Sequence, residues 1–281
     1  MTVAALGDLV LDVITRPHGE IAIDDDTPSA NRLEAGGQAA NVAAWAANAG
    51  ARARLITRRS SDPAGRMAEE RVRARGVEVL GPRGPEPAGI IVSLIASGGT
   101  RAMLTDRGAG PLLAAADLAD GWFAGVRWLH VSGYALTEEP VLGAAISAAR
   151  RVVAQGGSVS VDLASVAAIE RAGPRVFLGR VAACEPALVF GTRDELAYEA
   201  LPAALVVVKR GAEGAGLRGA VEADRPAPAV EMIDPTGAGD ALAGGMLAAL
   251  DAGVPAAAAL DAGLELAAWC VGRRGAMPPL R

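Results

Sequence analysis

Asp234-Pro235-Thr236-Gly237-Ala238-Gly239-Asp240 follows a short apolar segment, residues 230–233, and opens a long Ala/Leu/Gly run over 241–250. That run is apolar on every side, as a buried helix would be. A Gly-rich turn at a helix N-terminus presents unpaired backbone N–H groups and the positive end of the helix dipole, and both attract an anion. Asp240 falls on the first turn of this helix, beside the anion. A carboxylate so close to a bound phosphate is electrostatically costly, and taking a proton from an attacking hydroxyl is the chemistry that justifies it. Taken alone, the motif also suits a helix-capping Asp after a tight Gly-Ala-Gly turn. The wider sequence argues against that alternative.

Outward from this turn, short apolar segments alternate with longer helical runs. Residues 3–6, 128–131, 159–161, 188–190 and 205–208 read as strands buried on both faces. Residues 38–49, 64–75, 140–154 and 255–271 read as helices, the first three closed by Gly50, Gly76 and Gly156. Such alternation predicts an α/β fold, a mainly parallel sheet with helices on both faces. Two stretches break the rhythm. Residues 12–34 are polar and acidic at Asp24-Asp25-Asp26. Residues 88–104 carry an apolar run, a turn at Ser97-Gly98-Gly99-Thr100 and a second short run, the pattern of a β-hairpin. Together the two stretches predict a small sheet beside the main one.

The chain of 281 residues is 51% hydrophobic and long enough to bury a sizeable core, yet no apolar run reaches membrane-spanning length without charges or Gly breaks. Its N-terminus enters a strand pattern at once and does not resemble a signal peptide. Cys184 and Cys270 lack metal-ligand spacing and read as buried thiols of a reducing cytoplasm. A net charge of −5 argues against a general nucleic-acid surface.

Sites in open α/β sheets lie at the carboxyl ends of strands. The first strand runs into Gly7-Asp8-Leu9-Val10-Leu11-Asp12, which puts Asp12 past its end. Gly36-Gly37-Gln38-Ala39-Ala40-Asn41 then opens a helix, with small residues that admit a ligand and an amide able to pair with a hydroxyl. After a later strand, Lys209-Arg210-Gly211-Ala212-Glu213-Gly214-Ala215 reads as a phosphate- or nucleotide-facing turn, or simply as the turn of a hairpin.

These elements, in this order, resemble the ribokinase-like (pfkB-type) carbohydrate kinases, from about Ala5 to Gly275. The stretch 234–240 matches the family's Asp-x-Thr-Gly-Ala-Gly-Asp signature at every fixed position, and Gly36-Gly37-x-x-x-Asn41 is the second signature. The resemblance implies a three-layer αβα sandwich in one domain over 1–281, with a small β-sheet lid from residues 13–34 and 88–104 that in some members also forms a dimer interface. It implies ATP-dependent phosphorylation of a small unphosphorylated sugar or nucleoside. Asp240 would be the general base, and the amides of Gly237, Ala238 and Gly239 the anion hole. Asp12, Gly36, Gly37 and Asn41 would hold the acceptor, and Lys209, Gly211, Gly214 and Thr236 the nucleotide. Mg²⁺ is implied on the ATP phosphates, reached by Glu195 through water. The usual Asn-x-x-Glu motif stands here as Thr192-Arg193-Asp194-Glu195, which puts metal affinity in question. K⁺ is implied beside the anion hole at Asp234 and Thr236, completed by the loop 272–276. Met277-Pro278-Pro279 stands where some relatives supply a Ser, and Arg273 or Arg274 is the alternative source of positive charge.

The acceptor is less legible. Asp162-Leu163-Ala164-Ser165 looks closer to the nucleoside kinases, and no Lys lies near Gly36-Gly37 to hold a phosphorylated sugar. Arg107 faces either an acidic sugar or Asp106 at the surface, and Trp45, His130 and Tyr134 line either a pocket or the core. Hexose-type relatives, fructokinase- or ketodeoxygluconate kinase-like, are one alternative. A non-catalytic sugar- or nucleotide-sensing relative is another. A dinucleotide-binding oxidoreductase fails, because Gly-x-Gly-x-x-Gly is absent after the first strand.

Overall fold

Alternate residues of the first strand enter opposite apolar layers, and this sets the architecture. In the computed structural model, which describes residues 2–95, 101–198 and 203–280, β1 spans Thr2–Leu6. Its Val3 and Ala5 join one core cluster, its Ala4 and Leu6 the other, and all four are fully buried. A strand apolar on both faces needs helices on both sides.

In chain order there follow β2 (Val10–Pro17), β3 (Ser29–Gly36), α1 (Gln38–Asn48), β4 (Arg52–Ile56), the short β5 (Arg59–Ser60), α2 (Pro63–Arg73), β6 (Val77–Leu80), the short β7 (Arg83–Gly84), β8 (Ala88–Ile95) and β9 (Arg101–Gly108). The second part holds β10 (Val126–Ser132), α3 (Val141–Ala154), β11 (Ser158–Asp162), α4 (Val166–Ala172) and α5 (Pro174–Ala182). It continues with β12 (Leu188–Thr192), β13 (Leu205–Lys209), β14 (Ala215–Gly219), β15 (Ala223–Arg225), α6 (Ala238–Asp251) and α7 (Ala256–Val271). Nine strands form the main sheet in the order β15-β14-β13-β12-β11-β10-β1-β4-β6. Its strands pair in parallel from β6 to β13, and β14 and β15 add an antiparallel edge. Residues of α1, α2, α6 and α7 pack in one apolar cluster, those of α3, α4 and α5 in the other. The result is the expected α/β three-layer arrangement.

The second sheet has the order β3-β2-β8-β9. β8 and β9 pair antiparallel, as the hairpin pattern predicts; the turn expected at 97–100 lies outside the described residues. Side chains alternate across its faces. Asp12, Ile14, Ser93, Ile95 and Met103 line a cavity on one side. A cross-strand row, Leu33–Val13–Val92–Leu104, faces the other way.

Local signals place the site helices. The left-handed backbone of Gly237 (φ 81°) turns the chain into α6, a conformation that costs a residue with a Cβ about 1–2 kcal/mol. Gly244, two turns on, lets α6 press against α1: a Cβ there would lie 2.7 Å from both Trp45 Cβ and Val42 O. This close crossing brings the starts of α1 and α6 together.

Candidate active site

Asn41, on the first turn of α1, donates from Nδ2 to Asp240 Oδ2 at 2.7 Å. The two signatures, 199 residues apart, therefore meet in one hydrogen bond. Asn41 Oδ1 is buried without a hydrogen-bond partner among the described residues, which leaves an acceptor for an incoming hydroxyl. Asp240 is pushed up to about 7, chiefly by burial. The Asn41 hydrogen bond and Lys209 pull it down, while Asp162 and Asp12 push it further up. Its side keeps partial contact with the cleft, yet protein atoms surround it closely enough for desolvation to lead. A carboxylate poised near neutrality is suited to accepting a proton.

Asp12 packs against Gly36, where a Cβ would come within 2.3 Å of its Oδ2. Gly37 caps α1, and its carbonyl accepts the Asn41 N–H at 2.9 Å. The acceptor-side residues expected from sequence thus converge on Asp240.

On the opposite side lies a buried charge cluster. Lys209 ends β13 and sits 2.7 Å from Asp162 Oδ2, at the end of β11, and 3.7 Å from Glu195 Oε2. Burial acts to lower its pKa, but Asp162 and Glu195 outweigh that and hold it raised. Asp162 Oδ1 also accepts Gln38 Nε2 and the Ala164 N–H, both at 3.0 Å, and Ser132 Oγ donates to Gln38 Oε1 at 2.5 Å. A Cβ on Gly239 would stand 3.7 Å from Lys209 Cδ, so the lysine runs over the Gly-Ala-Gly turn. Glu195 Oε2 accepts the Thr192 N–H at 2.8 Å while Thr192 Oγ1 accepts the Glu195 N–H at 3.3 Å. Thr192 is thereby a local cap that fixes Glu195. Gly211 and Gly214 belong to the turn after β13; the open side of Gly214 meets the Arg225–Ala227 backbone, not this cluster.

Asp234 organises the loop before α6. Its Oδ1 accepts Thr236 N and Oγ1 at 3.0 and 2.6 Å, and its Oδ2 accepts the Gly275 N–H at 3.1 Å. The Cys270 thiol lies 3.3 Å from Thr236 O and 4.0 Å from Gly275 O, so these two carbonyls converge on the thiol. Burial pushes both Cys184 and Cys270 up to about 12, which keeps them as inert thiols. Trp45 Nε1 donates to Ala276 O at 2.8 Å and ties the C-terminal loop to α1.

Two sequence alternatives resolve here. Trp45 and His130 are fully buried core residues, with His130 lowered to about 4 by burial, while Tyr134 is half-buried. Arg107 pairs with neither a surface Asp106 nor an open pocket. It grips Asp8 through both Nε (2.7 Å) and Nη2 (3.0 Å), and reaches Glu138 and Thr137, thereby tying β9 to the loop after β1. The pairing of sheet ends brings Asp8 to it, which no sequence spacing indicates. Asp162 and Gln38 were absent from the expected site residues. The position of Asp162 at the end of a parallel strand was the available signal.

A chain so arranged has relatives. The sequence profile of the pfkB family carbohydrate kinases matches residues 2–281. The fructokinase of Klebsiella pneumoniae is 31% identical, over 94% of this chain and 90% of that protein. The adenosine kinase of Sinorhizobium meliloti superposes with a TM-score of 0.86 at 25% identity, covering 98% of this chain and 95% of that one. A putative ribokinase II from E. coli, in complex with ATP and Mg²⁺, superposes with a TM-score of 0.85 at 22% identity over 98% and 94% of the two chains. The chain belongs to the pfkB family of carbohydrate kinases. It is a sugar or nucleoside kinase.

Proposed function

We propose that this kinase transfers the γ-phosphoryl group of ATP to a hydroxyl of a small unphosphorylated sugar or nucleoside, with Asp240 as general base. The observation that carries this is the Asn41–Asp240 hydrogen bond at the start of α6, together with the rise of Asp240 towards neutrality. The acceptor hydroxyl is held by Asp12 and by the open lone pairs of Asn41. Asp240 takes the proton late, as the oxygen–phosphorus bond forms. Gly237, Ala238 and Gly239 offer N–H groups to the migrating phosphoryl oxygens, and such a donor typically contributes about 3–4 kcal/mol to the barrier. Lys209, over Gly239, adds positive charge on the same side. Gly211, Gly214 and Thr236 belong to the nucleotide side of this reading.

Glu195 fits a water-mediated hold on Mg²⁺, because the Thr192 N–H fixes its carboxylate. Bound there, the ion would neutralise phosphate charge. The oxygens of Asp234, Thr236 and Gly275 suit K⁺ by their chemistry and their convergence. We extend the reading to one domain over 1–281 with the four-stranded sheet as its lid, and to a cytoplasmic enzyme. The outward row of that sheet leaves Leu33 and Leu104 38% and 59% exposed, which supports a homodimer through the lid.

ADP release, coupled to a reporter reaction, tests the reading on ribose, fructose, other aldoses and ketoses, adenosine, cytidine and pseudouridine. Acceptor-dependent release is expected. Release that no acceptor stimulates would overturn it, in favour of a sensing relative. Preference for fructose would favour the hexose-type reading that the Klebsiella fructokinase suggests.

A further inference from the structure

The cavity between the lid and the C-terminal loop, about 190 Å³, is lined by Asp12 and also by Arg75, Arg273 and Arg274. So many guanidinium groups are unexpected beside a neutral sugar, in a protein whose net charge is −5. Glu34, on the cavity wall, faces one of them, Arg75 at 3.8 Å, and two arginines outside the lining, Arg71 at 3.3 Å and Arg32 at 3.5 Å. One carboxylate cannot balance three cations. On the lining itself three carboxylates, Asp12, Glu34 and Asp234, meet three guanidinium groups, and Arg32 and Arg71 draw Glu34 away from Arg75.

Two of these arginines are positioned rather than solvated. The Arg75 side chain is only 8% exposed. Its Nε donates to Pro278 O at 2.7 Å and its Nη1 to Arg71 O at 2.8 Å, while Nη2, at 3.8 Å from Glu34, bonds no acceptor among the described residues. Burial and Arg71 both push its pKa down while Glu34 opposes them, the signature of an under-compensated charge. Arg273 stacks over Trp269 at 4.1 Å, and its Nε is buried without a hydrogen-bond partner among the described residues. Guanidinium donors held in this way match the planar oxygens of a carboxylate or the oxygens of a phosphate.

We propose that the phosphoryl acceptor carries an acidic group, a carboxylate or a phosphate, which Arg75 and Arg273 bind in the cavity that Asp12 also lines. The proposal rests on the kinase reading above and narrows its acceptor. A sugar acid keeps the acceptor unphosphorylated; a sugar phosphate would correct that part of the reading.

Calorimetric titration of the full-length protein without ATP tests it on matched pairs: gluconate with glucose, glycerate with glycerol, fructose 6-phosphate with fructose, ribose 5-phosphate with ribose. At least one charged member should bind ten-fold or more tightly than its neutral partner, and which pairs respond tells carboxylate from phosphate. Arg75→Met and Arg273→Met should each remove most of that preference. Arg75 also braces the C-terminal loop, so Arg273→Met keeps the test open if Arg75→Met fails to fold. No preference in any pair, or a preference that survives Arg273→Met, overturns the proposal. Coupled ADP release separates the two readings: turnover of neutral acceptors alone upholds the kinase and overturns the acidic acceptor. Turnover of the preferred acid upholds both.

Discussion

Replacing Asp240 by Asn should weaken catalysis and strengthen the fold at the same time. Burial raises this carboxyl from 3.8 to about 7, so the folded chain holds the proton more tightly than the unfolded chain does. Its contribution to stability is therefore greatest below pH 3.8 and is lost as pH rises through about 7. A shift of about three units at 1.36 kcal/mol each sets a ceiling of roughly 4 kcal/mol. Partial contact with the cleft screens the charge, and roughly 1–2 kcal/mol is the expected cost at pH 8. Asn cannot ionise and keeps the shape, so Asp240→Asn should gain about that much at pH 8 and progressively less towards pH 4. Its kcat should fall by about two to four orders of magnitude, the scale for losing a positioned base. Urea unfolding at pH 5 and pH 8, with ADP-release kinetics on the same samples, measures both effects. A variant retaining more than about a tenth of wild-type kcat would refute the base assignment. An equal stability change at both pH values would refute the buried, proton-holding carboxyl.

Asp12→Ala should raise the KM for the acceptor strongly and leave that for ATP near its starting value, since an unpaired hydroxyl in a closed site costs about 1–3 kcal/mol; a larger change in the ATP KM would reverse the two sides of the site. Lys209→Met leaves the carboxylate of Asp162, with a 2% exposed side chain, without its ion partner. It should destabilise by about 3 kcal/mol and, because Lys209 lowers Asp240, move the acid limb of kcat/KM to higher pH; an unmoved limb refutes the coupling. Gly244→Ala forces a Cβ to within 2.7 Å of Trp45 Cβ. Overpacking of about 1–3 kcal/mol should appear as a lower melting temperature together with reduced kcat, as Asn41 and Asp240 are levered apart. K⁺ titrated into Na⁺-free buffer at constant ionic strength should raise kcat, and a flat response removes the cation from the account.

The parts of the fold that were legible carry their cause within a few residues. Helices α1, α2, α3 and α7 lie within one or two residues of the expected spans, because their apolar period and Gly stops are local. β4 and β6 were not foreseen. Arg52 and Arg54 interrupt one apolar run and Glu78 the other, and only the fold shows that Arg54 is neutralised by Glu78 at 3.0 Å and by the carbonyls of Trp122 and Ala124. The second sheet was seen as a break in rhythm, but its strands start at Val10 and end at Gly108, since β2 continues beyond Asp12 in both directions. Asp240 and Asn41 were legible because each sits at a helix start, where backbone geometry fixes the side chain. Asp162 was legible only as a strand-end carboxylate; its pairing with Lys209 and Gln38, and the arginines around Glu34, were not. Their meaning arises from pairing across the fold, which spacing in sequence does not encode.

The charges of the candidate site also constrain how a nucleotide can enter it. Lys209 is the chain's single lysine, and it faces Asp162 at 2.7 Å and Glu195 at 3.7 Å, with Asp240 close enough to raise its pKa. One cation among three carboxylates leaves this side negative, and a bare triphosphate would be repelled. The amides of Gly237 to Gly239 supply dipoles but no net charge, so they can orient phosphate oxygens without reversing the sign of the field. An entering nucleotide must bring its own positive charge, which is the electrostatic case for a Mg²⁺ complex as the true substrate and for Glu195 as its second contact. The proposed acceptor side is built the other way. There the surplus of guanidinium groups around Glu34 favours a negative guest. Asp240, the proposed base, feels both sides, Asp12 pushing its pKa up from one and Asp162 and Lys209 pulling in opposite senses from the other.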